Sequence, residues 1–162
     1  MSINQLKKLA VLAALSLAPF LASPAHAASG NVEVEADSME IIDAEHKTIF
    51  TGNVVSTRPS ETIHADEMIV STTEVKQDDG TMKTVTNFVD AKGSVTITTK
   101  NQVITGTAAK FRVLENLLEV TGNVKVVAGE STLKGEKLLV DLKTNHLQMA
   151  GGRVKGSFIP PK

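Results

Sequence analysis

A short pattern of Gly, one polar residue and Val recurs four times along this chain, and its spacing restricts the fold more than any other feature. The four copies begin at Gly52, Gly93, Gly122 and Gly152, which lie 41, 29 and 30 residues apart. Repeats with a period of roughly 20 to 50 residues are typical of stacked architectures, in which each unit buries its apolar face against its neighbours. The sequence therefore predicts a stack of similar units, one of them longer than the others.

Aliphatic residues alternate with polar ones on both sides of these glycines. Around Gly122, the residues Leu118, Val120, Val124 and Val126 occupy alternate positions. Alternation with a period of two is typical of a β-strand that has one buried and one solvated face. A Gly on the apolar face indicates a bend or the close approach of another backbone.

A second series of small residues repeats with nearly the same spacing. Its members are Ala36, Ala65, Gly106 and Gly135. Near each of them, inward aliphatic positions are five residues apart, as Ile63 and Met68 are. Because five is odd, a straight strand would turn one of the two side chains to the solvent. We therefore expect a bulge or corner near each small residue, and a curved sheet that folds over.

Polar turn signals separate the aliphatic runs. They fall at residues 43–46, 114–116 and 143–146, and short gaps between strands favour antiparallel meanders. The extra residues of the long unit lie near 74–85, around the hairpin signal Asp79-Gly80. This segment predicts a protruding hairpin, and no helical period is evident after Ala28.

The first 27 residues have the pattern of a secretory signal peptide. Lys7 and Lys8 precede an apolar run from Leu9 to Leu21, and Ala25-His26-Ala27 forms a small-x-small cleavage site. We expect residues 1–27 to be cleaved and residues 28–162 to form one domain. Export without a later membrane span favours the periplasm of a Gram-negative bacterium.

Composition argues against several classes of function. The net charge is −1 and there is no Cys, Trp or Tyr, so clustered positive charge for nucleic acid and aromatic platforms for sugars are missing. His46, His64 and His146 do not have metal-ligand spacing. Neighbouring acids such as Asp66 and Glu67 would point to opposite faces of a strand. We predict no catalytic residues, no enzyme activity, no metal and no cofactor.

The ordered series of motifs resembles a known family. The segments that carry the resemblance are Phe50-Thr51-Gly52-Asn53-Val54, Ala65-Asp66-Glu67-Met68, Leu118-Glu119-Val120-Thr121-Gly122-Asn123-Val124 and Gly135-Glu136-Lys137-Leu138. In this order and phase they are similar to the OstA-like proteins of lipopolysaccharide transport. The resemblance covers most of the chain after residue 33.

The resemblance implies an antiparallel β jelly-roll, open at both ends, whose interior shelters the acyl chains of lipid A. The cleavable signal resembles that of the soluble family member that bridges the two membranes in the periplasm. It further implies that the N-terminal edge contacts an inner-membrane component and the C-terminal edge contacts an outer-membrane assembly protein. Copies of the chain are expected to associate head to tail.

The candidate lipid contacts are the inward apolar residues of the repeat. They are Val34, Met39, Ile41, Phe50, Met68, Val70, Val95, Ile97, Phe111, Val113, Leu118, Val120, Leu138 and Val140. Each of these side chains has an ordinary alternative as part of a packed core, because buried strand faces are apolar in all β proteins. The lipid hypothesis therefore concerns the apolar stripe as a whole.

Two other classes of function stay open at this point. One is a structural connector whose interior is only a packed core. The other is a repeat-fold polysaccharide enzyme, which should show clustered acids and aromatic sugar platforms that this sequence lacks. The sequence favours the lipid carrier.

Overall fold

The chain folds into one antiparallel β-sheet, as a computed structural model that describes residues 32–159 shows. Its ten strands are β1 (Glu33–Glu35), β2 (Ser38–Ile42), β3 (Lys47–Arg58), β4 (Glu61–Lys76), β5 (Met82–Thr99), β6 (Val103–Arg112), β7 (Leu117–Ala128), β8 (Ser131–Asp141), β9 (His146–Ala150) and β10 (Lys155–Ser157). A 3-10 turn, Asp43–Glu45, joins β2 to β3. The described residues contain no α-helix, so the prediction of an all-β antiparallel fold is confirmed. The signal-peptide prediction, at residues 1–27, lies outside the described residues.

Neighbouring strands in the chain are also neighbours in the sheet. β3 to β8 pair in sequence order, β1 and β2 both pair with β3, and β9 and β10 both pair with β8. The two ends of the sheet do not pair with each other. The sheet is therefore open, with an edge formed by β1 and β2 and an opposite edge formed by β9 and β10.

Each long strand changes direction at a bulge. Between β3 and β4 the pairing moves from Thr51–Glu67 to Val54–Ala65, so two residues of β3 stand opposite one of β4. Similar breaks occur in every pairing from β3 to β8. The predicted corners are confirmed. They divide the sheet into a first arm (38–51, 67–92, 108–121 and 137–150) and a second arm (33–35, 54–65, 95–106, 124–135 and 155–157).

The corners explain the repeated glycine. At each corner two successive residues have positive φ, for example Gly122 at 82° and Asn123 at 49°. Gly enters this region without steric cost, and Asn tolerates it better than most residues. A Cβ on Gly122 would also overlap the side chain of Thr107 on the neighbouring strand. Both the backbone conformation and the close approach therefore require Gly.

Inward side chains form three continuous rows that cross the sheet. The first inner row, beside the corners on the first arm, is Met39, Phe50, Met68, Ala91, Ala109, Val120, Leu138 and Met149. The second inner row, farther from the corners, is Ile41, Thr48, Val70, Val89, Phe111, Leu118, Val140 and Leu147. The third inner row, on the second arm, is Val34, Ser56, Ile63, Ile97, Ile104, Val126 and Leu133. The hydrophobic core consists mainly of these rows.

The longer repeat unit ends in the expected hairpin. β4 and β5 stay paired from Thr72–Thr86 to Lys76–Met82, beyond the ends of the other strands. The tip is closed by the amide of Gln77, which donates to the carbonyl oxygen of Thr81 at 2.8 Å. The twelve additional residues of this unit therefore lengthen one hairpin and leave the rows intact.

Candidate binding trough

A cavity of about 800 Å³ lies between the two arms, and we call it the trough. Its walls include Phe50 and Phe111 from the first arm and Ile63 and Ile97 from the second. Side chains from both sides of the corners line the same space, so the arms face each other across it. A cavity of this size is in the range of roughly 300 to 1,000 Å³ that small-ligand sites occupy.

Eight of the fourteen candidate lipid contacts line the trough. They are Val34, Phe50, Met68, Val70, Ile97, Phe111, Val113 and Leu118. Residues that were not among the candidate contacts also line it, and Val89 and Ile63 are two of them. Val89 could have been found from its alternation with Ala91, and Ile63 from its place in the second series of repeats.

Four other candidates lie in packed core and do not line the trough. Val120 and Leu138 are 0% exposed, and Val95 and Val140 are also buried. Val120 and Leu138 belong to β7 and β8, whose interior also holds the buried side chains of Val124 and Val126. We call the packed region around the side chains of Val120, Val124, Val126 and Leu138 the closed half.

The last two candidates, Met39 and Ile41, are each 59% exposed. Both belong to the edge strand β2, where Met39 pairs with Phe50 and Ile41 with Thr48. Directly opposed residues on antiparallel strands project from the same face of the sheet. Met39 and Ile41 therefore continue the inner rows past the trough to the N-terminal edge of the sheet.

The trough contains one ion pair at its mouth, which the sequence analysis did not anticipate. Arg58 Nη1 lies 3.2 Å from Glu61 Oε1, and both residues line the trough. The Arg58 guanidinium also lies over the ring of Phe111, 5.7 Å from its centroid. Arg58 stands at alternate positions with Val54 and Ser56, so all three side chains are on the inward face of β3. This alternation in the sequence could have predicted that Arg58 points inward.

The outer face of the first arm is polar and carries cross-strand ion pairs. Lys110 Nζ lies 3.3 Å from Asp90 Oδ1, and Lys137 Nζ lies 2.9 Å from Glu119 Oε1. These pairs are largely solvated and contribute at most about 1 kcal/mol each to stability. They mark which face of the sheet is in water.

Three lysines on the outer face of the second arm form a row of like charge. Lys125 pairs with Lys134, and Lys134 pairs with Lys155. All three are exposed, and like charges directly opposite one another on a sheet are unfavourable. At the other end of the same transverse row, on β1, lies the exposed Glu35. The lysine row is not evident from the sequence because its members become neighbours only through strand pairing.

The described residues offer no group of three or more His, Asp or Glu that could hold a metal ion. Nor does any helix of residues 32–159 have the length and apolar character needed to cross a membrane.

An open, folded-over antiparallel sheet with an apolar interior is typical of one class of jelly-roll proteins. Comparison with solved structures places this fold in that class. The fold is similar to the crystal structure of LptH from Pseudomonas aeruginosa, which is described as the LptA-homologous periplasmic component of the lipopolysaccharide transport device. The TM-score is 0.67 at 18% identity, and the similarity covers 81% of this chain and 96% of LptH.

Sequence comparison identifies the family. The model of the family described as "LptA/(LptD N-terminal domain) LPS transport protein" matches residues 33–146, which is more than half of the chain. This protein therefore belongs to that family, as its resemblance to the OstA-like proteins predicted. It is also 28% identical over 135 residues to an uncharacterized protein of Rhizobium meliloti (strain 1021), which covers 80% of this chain and 71% of that one.

Proposed function

We propose that this protein is a non-enzymatic, periplasmic carrier that binds lipopolysaccharide and bridges the inner and outer membranes. The acyl chains of lipid A occupy the trough. The observation that carries this proposal is an apolar cavity of about 800 Å³ in a chain of the LPS transport family. An acyl chain exposed to water costs about 0.8 kcal/mol for each methylene, so a covered apolar route lowers the barrier to crossing the periplasm.

Site-specific crosslinking in living cells tests the lipid cargo. Phe111 is replaced by a photo-crosslinking amino acid, and Phe88 provides a matched control. Both phenylalanines are half-buried and lie on adjacent strands, but Phe111 lines the trough whereas Phe88 contacts Lys110 on the outer face. We expect LPS adducts at position 111 and none at position 88.

Equal adducts at both positions would contradict binding in the trough. Adducts at neither position, with abundant folded protein, would favour the structural connector. The observation that favours the connector is the closed half, where inner-row residues such as Val120 and Leu138 are fully buried, as in an ordinary packed core.

We further propose that copies associate head to tail through the two edges. Each arm contains eight strands, β2 to β9 in the first arm and β1, β3 to β8 and β10 in the second. Strand direction alternates across an antiparallel sheet, so the first and the last of eight strands run in opposite directions. When two copies have the same orientation, β9 of one copy can therefore pair antiparallel with β2 of the next. Unpaired strand edges are templates for such pairing, and a heterologous contact of this kind produces open filaments. In the periplasm, the N-terminal edge would meet the inner-membrane component and the C-terminal edge the outer-membrane assembly protein.

Charge complementarity supports this association. The lysine row ends at Lys155 on β10, and the same transverse row begins at Glu35 on β1. If the rows continue from one copy to the next, Lys155 faces Glu35 of the following copy. This arrangement gives the unfavourable lysine row an acidic neighbour and favours one register between copies.

Charge reversal tests the contact between edges. We expect Lys155→Glu and Glu35→Lys each to lower the average mass measured by light scattering, and the double variant to recover it. Lys100→Glu, at the exposed turn between β5 and β6, is the control for a change of net charge. Loss of association in the control as well, or no recovery in the double variant, would argue against this contact.

A further inference from the structure

The mouth of the trough carries a positive charge that the acyl chains of a lipid would not use. Arg58 is the last residue of β3, and it is the one cation among the described residues that line the trough. Its side chain is 30% exposed, so it lies at the boundary between the apolar interior and the solvent.

The hydrogen-bonding capacity of this guanidinium is only partly used. An arginine carries five N–H donors. In residues 32–159, Nη1 pairs with Glu61, whereas Nε is buried and lacks a hydrogen-bond partner. A buried donor without a partner is costly, and the remaining donors form the planar fork that matches a phosphate or carboxylate.

The position of the guanidinium is fixed by its neighbours. The Phe111 ring lies beneath it at 5.7 Å, and its pairing partner Glu61 holds one end. Phe111 also lines the trough, so one aromatic ring contacts both the cation and the apolar space. A ligand whose polar group contacts this guanidinium at the mouth can therefore extend apolar chains past Phe111.

We propose that Arg58 binds the anionic group, a phosphate or a carboxylate, of an amphiphile whose acyl chains lie in the trough. This inference rests on the proposed lipid-binding function and adds a polar specificity site to it. The anionic group occupies the mouth, where it stays partly hydrated, and the chains occupy the interior. Glu61 competes with the ligand for the guanidinium and weakens binding of every anionic ligand.

Calorimetric titration with three probes of equal chain length tests the site: dodecyl phosphate, dodecanoate and dodecanol. The two anions distinguish a phosphate from a carboxylate site, and the alcohol reports apolar binding alone. We expect Arg58→Gln to weaken binding of the preferred anion about tenfold, because charge-assisted hydrogen bonds are about twice as strong as neutral ones. Binding of dodecanol should change less than about twofold, since a truncated polar contact does not affect the apolar wall.

Two further variants separate charge from structure. Arg58→Lys keeps the charge without the fork and should give an intermediate affinity for the anion. Glu61→Gln removes the competing carboxylate and should tighten anion binding. Equal losses for the alcohol and the anions in Arg58→Gln, or no loss for either anion, would overturn the anion site alone. Failure of the wild-type protein to bind any of the three probes would overturn the proposed lipid-binding function as well.

Discussion

The trough and the closed half are built from the same inner rows, yet one contains a cavity and the other a packed core. On the trough side, the first inner row has Phe50 and Met68, and on the closed side it has Val120 and Leu138. Both pairs are apolar and alternate with polar neighbours in the same way. The difference therefore does not come from the pattern along a strand but from what the opposite arm presents.

In the closed half, large and small residues on neighbouring strands are complementary. A Cβ added to Gly106 would lie 2.6 Å from Val120 Cγ1, and one added to Gly135 would lie 2.6 Å from Met149 Cγ. The two glycines leave the space that Val120 and Met149 fill, which gives close packing. On the trough side the corresponding position is Ala65, and the polar residues Thr48 and Ser56 enter the inner rows. The ligand space thus lies on one side of the sheet, where buried core residues such as Met68 and Ile97 form part of its lining.

The largest expected effect is a difference between two identical truncations. Leu138 is 0% exposed in the closed half, whereas Leu118 is half-buried and lines the trough. We expect Leu138→Ala to lower the free energy of unfolding by about 3 to 5 kcal/mol, because it creates a cavity in packed core. Leu118→Ala should cost about 1 to 2 kcal/mol, since its side chain already borders open space.

Urea denaturation followed by circular dichroism measures both leucine variants. Similar losses of stability for the two would show that the trough is packed in solution, and the division into two halves would then be wrong.

Enlarging a side chain tests the same difference between the trough and the closed half in the opposite direction from the leucine truncations. Val89→Leu adds one methylene to a residue that lines the trough, and Val120→Leu adds it to a fully buried residue of the closed half. Overpacking costs about 1 to 3 kcal/mol, so we expect such a loss for Val120→Leu and almost none for Val89→Leu. Thermal unfolding of the two variants gives the comparison, and equal shifts in Tm would count against a free volume beside Val89.

The smallest expected effect distinguishes two turns, one at the tip of the long hairpin and one after β8. Asp79 at the hairpin tip accepts a hydrogen bond from the Thr81 hydroxyl at 2.6 Å and another from the Thr81 amide at 2.9 Å. These bonds, chiefly that of the hydroxyl, hold the pKa of Asp79 below its usual value. In the turn after β8, the pKa of Asp141 is lowered mainly by a hydrogen bond that its carboxylate accepts from the backbone amide of Thr144. We expect Thr81→Val to raise the pKa of Asp79 towards its usual value, and Thr144→Val to change that of Asp141 much less.

Carboxyl chemical shifts followed by NMR between acidic and neutral pH measure both values. Because the folded-state pKa values are lowered, the stabilisation that these turns contribute is complete above the unfolded-state pKa. It is lost as the pH falls through the folded-state value. An unchanged pKa of Asp79 in Thr81→Val would show that the hydroxyl bond does not persist in solution.

Sequence alone was sufficient for the features that depend on local backbone geometry. The spacing of Gly52, Gly93 and Gly122 located the corners because two successive residues of positive φ exclude most side chains. The signal Asp79-Gly80 located the long hairpin because the turn places Gly80 at positive φ. Strand positions and their inward faces followed from alternation, which is typical of strands with one buried and one solvated face.

Tertiary structure decided which inward residues border open space and which charges meet. Phe111 and Leu138 have the same inward phase, but only the facing arm places one at the trough and the other in packed core. Arg58 meets Phe111, and Lys125 meets Lys134, through strand pairing and folding of the arms across many residues of chain. A pattern along one strand specifies which way a side chain points. Which residues it contacts depends on the strand register and on the packing of the two arms. These are set by the whole folded sheet and cannot be read from one strand.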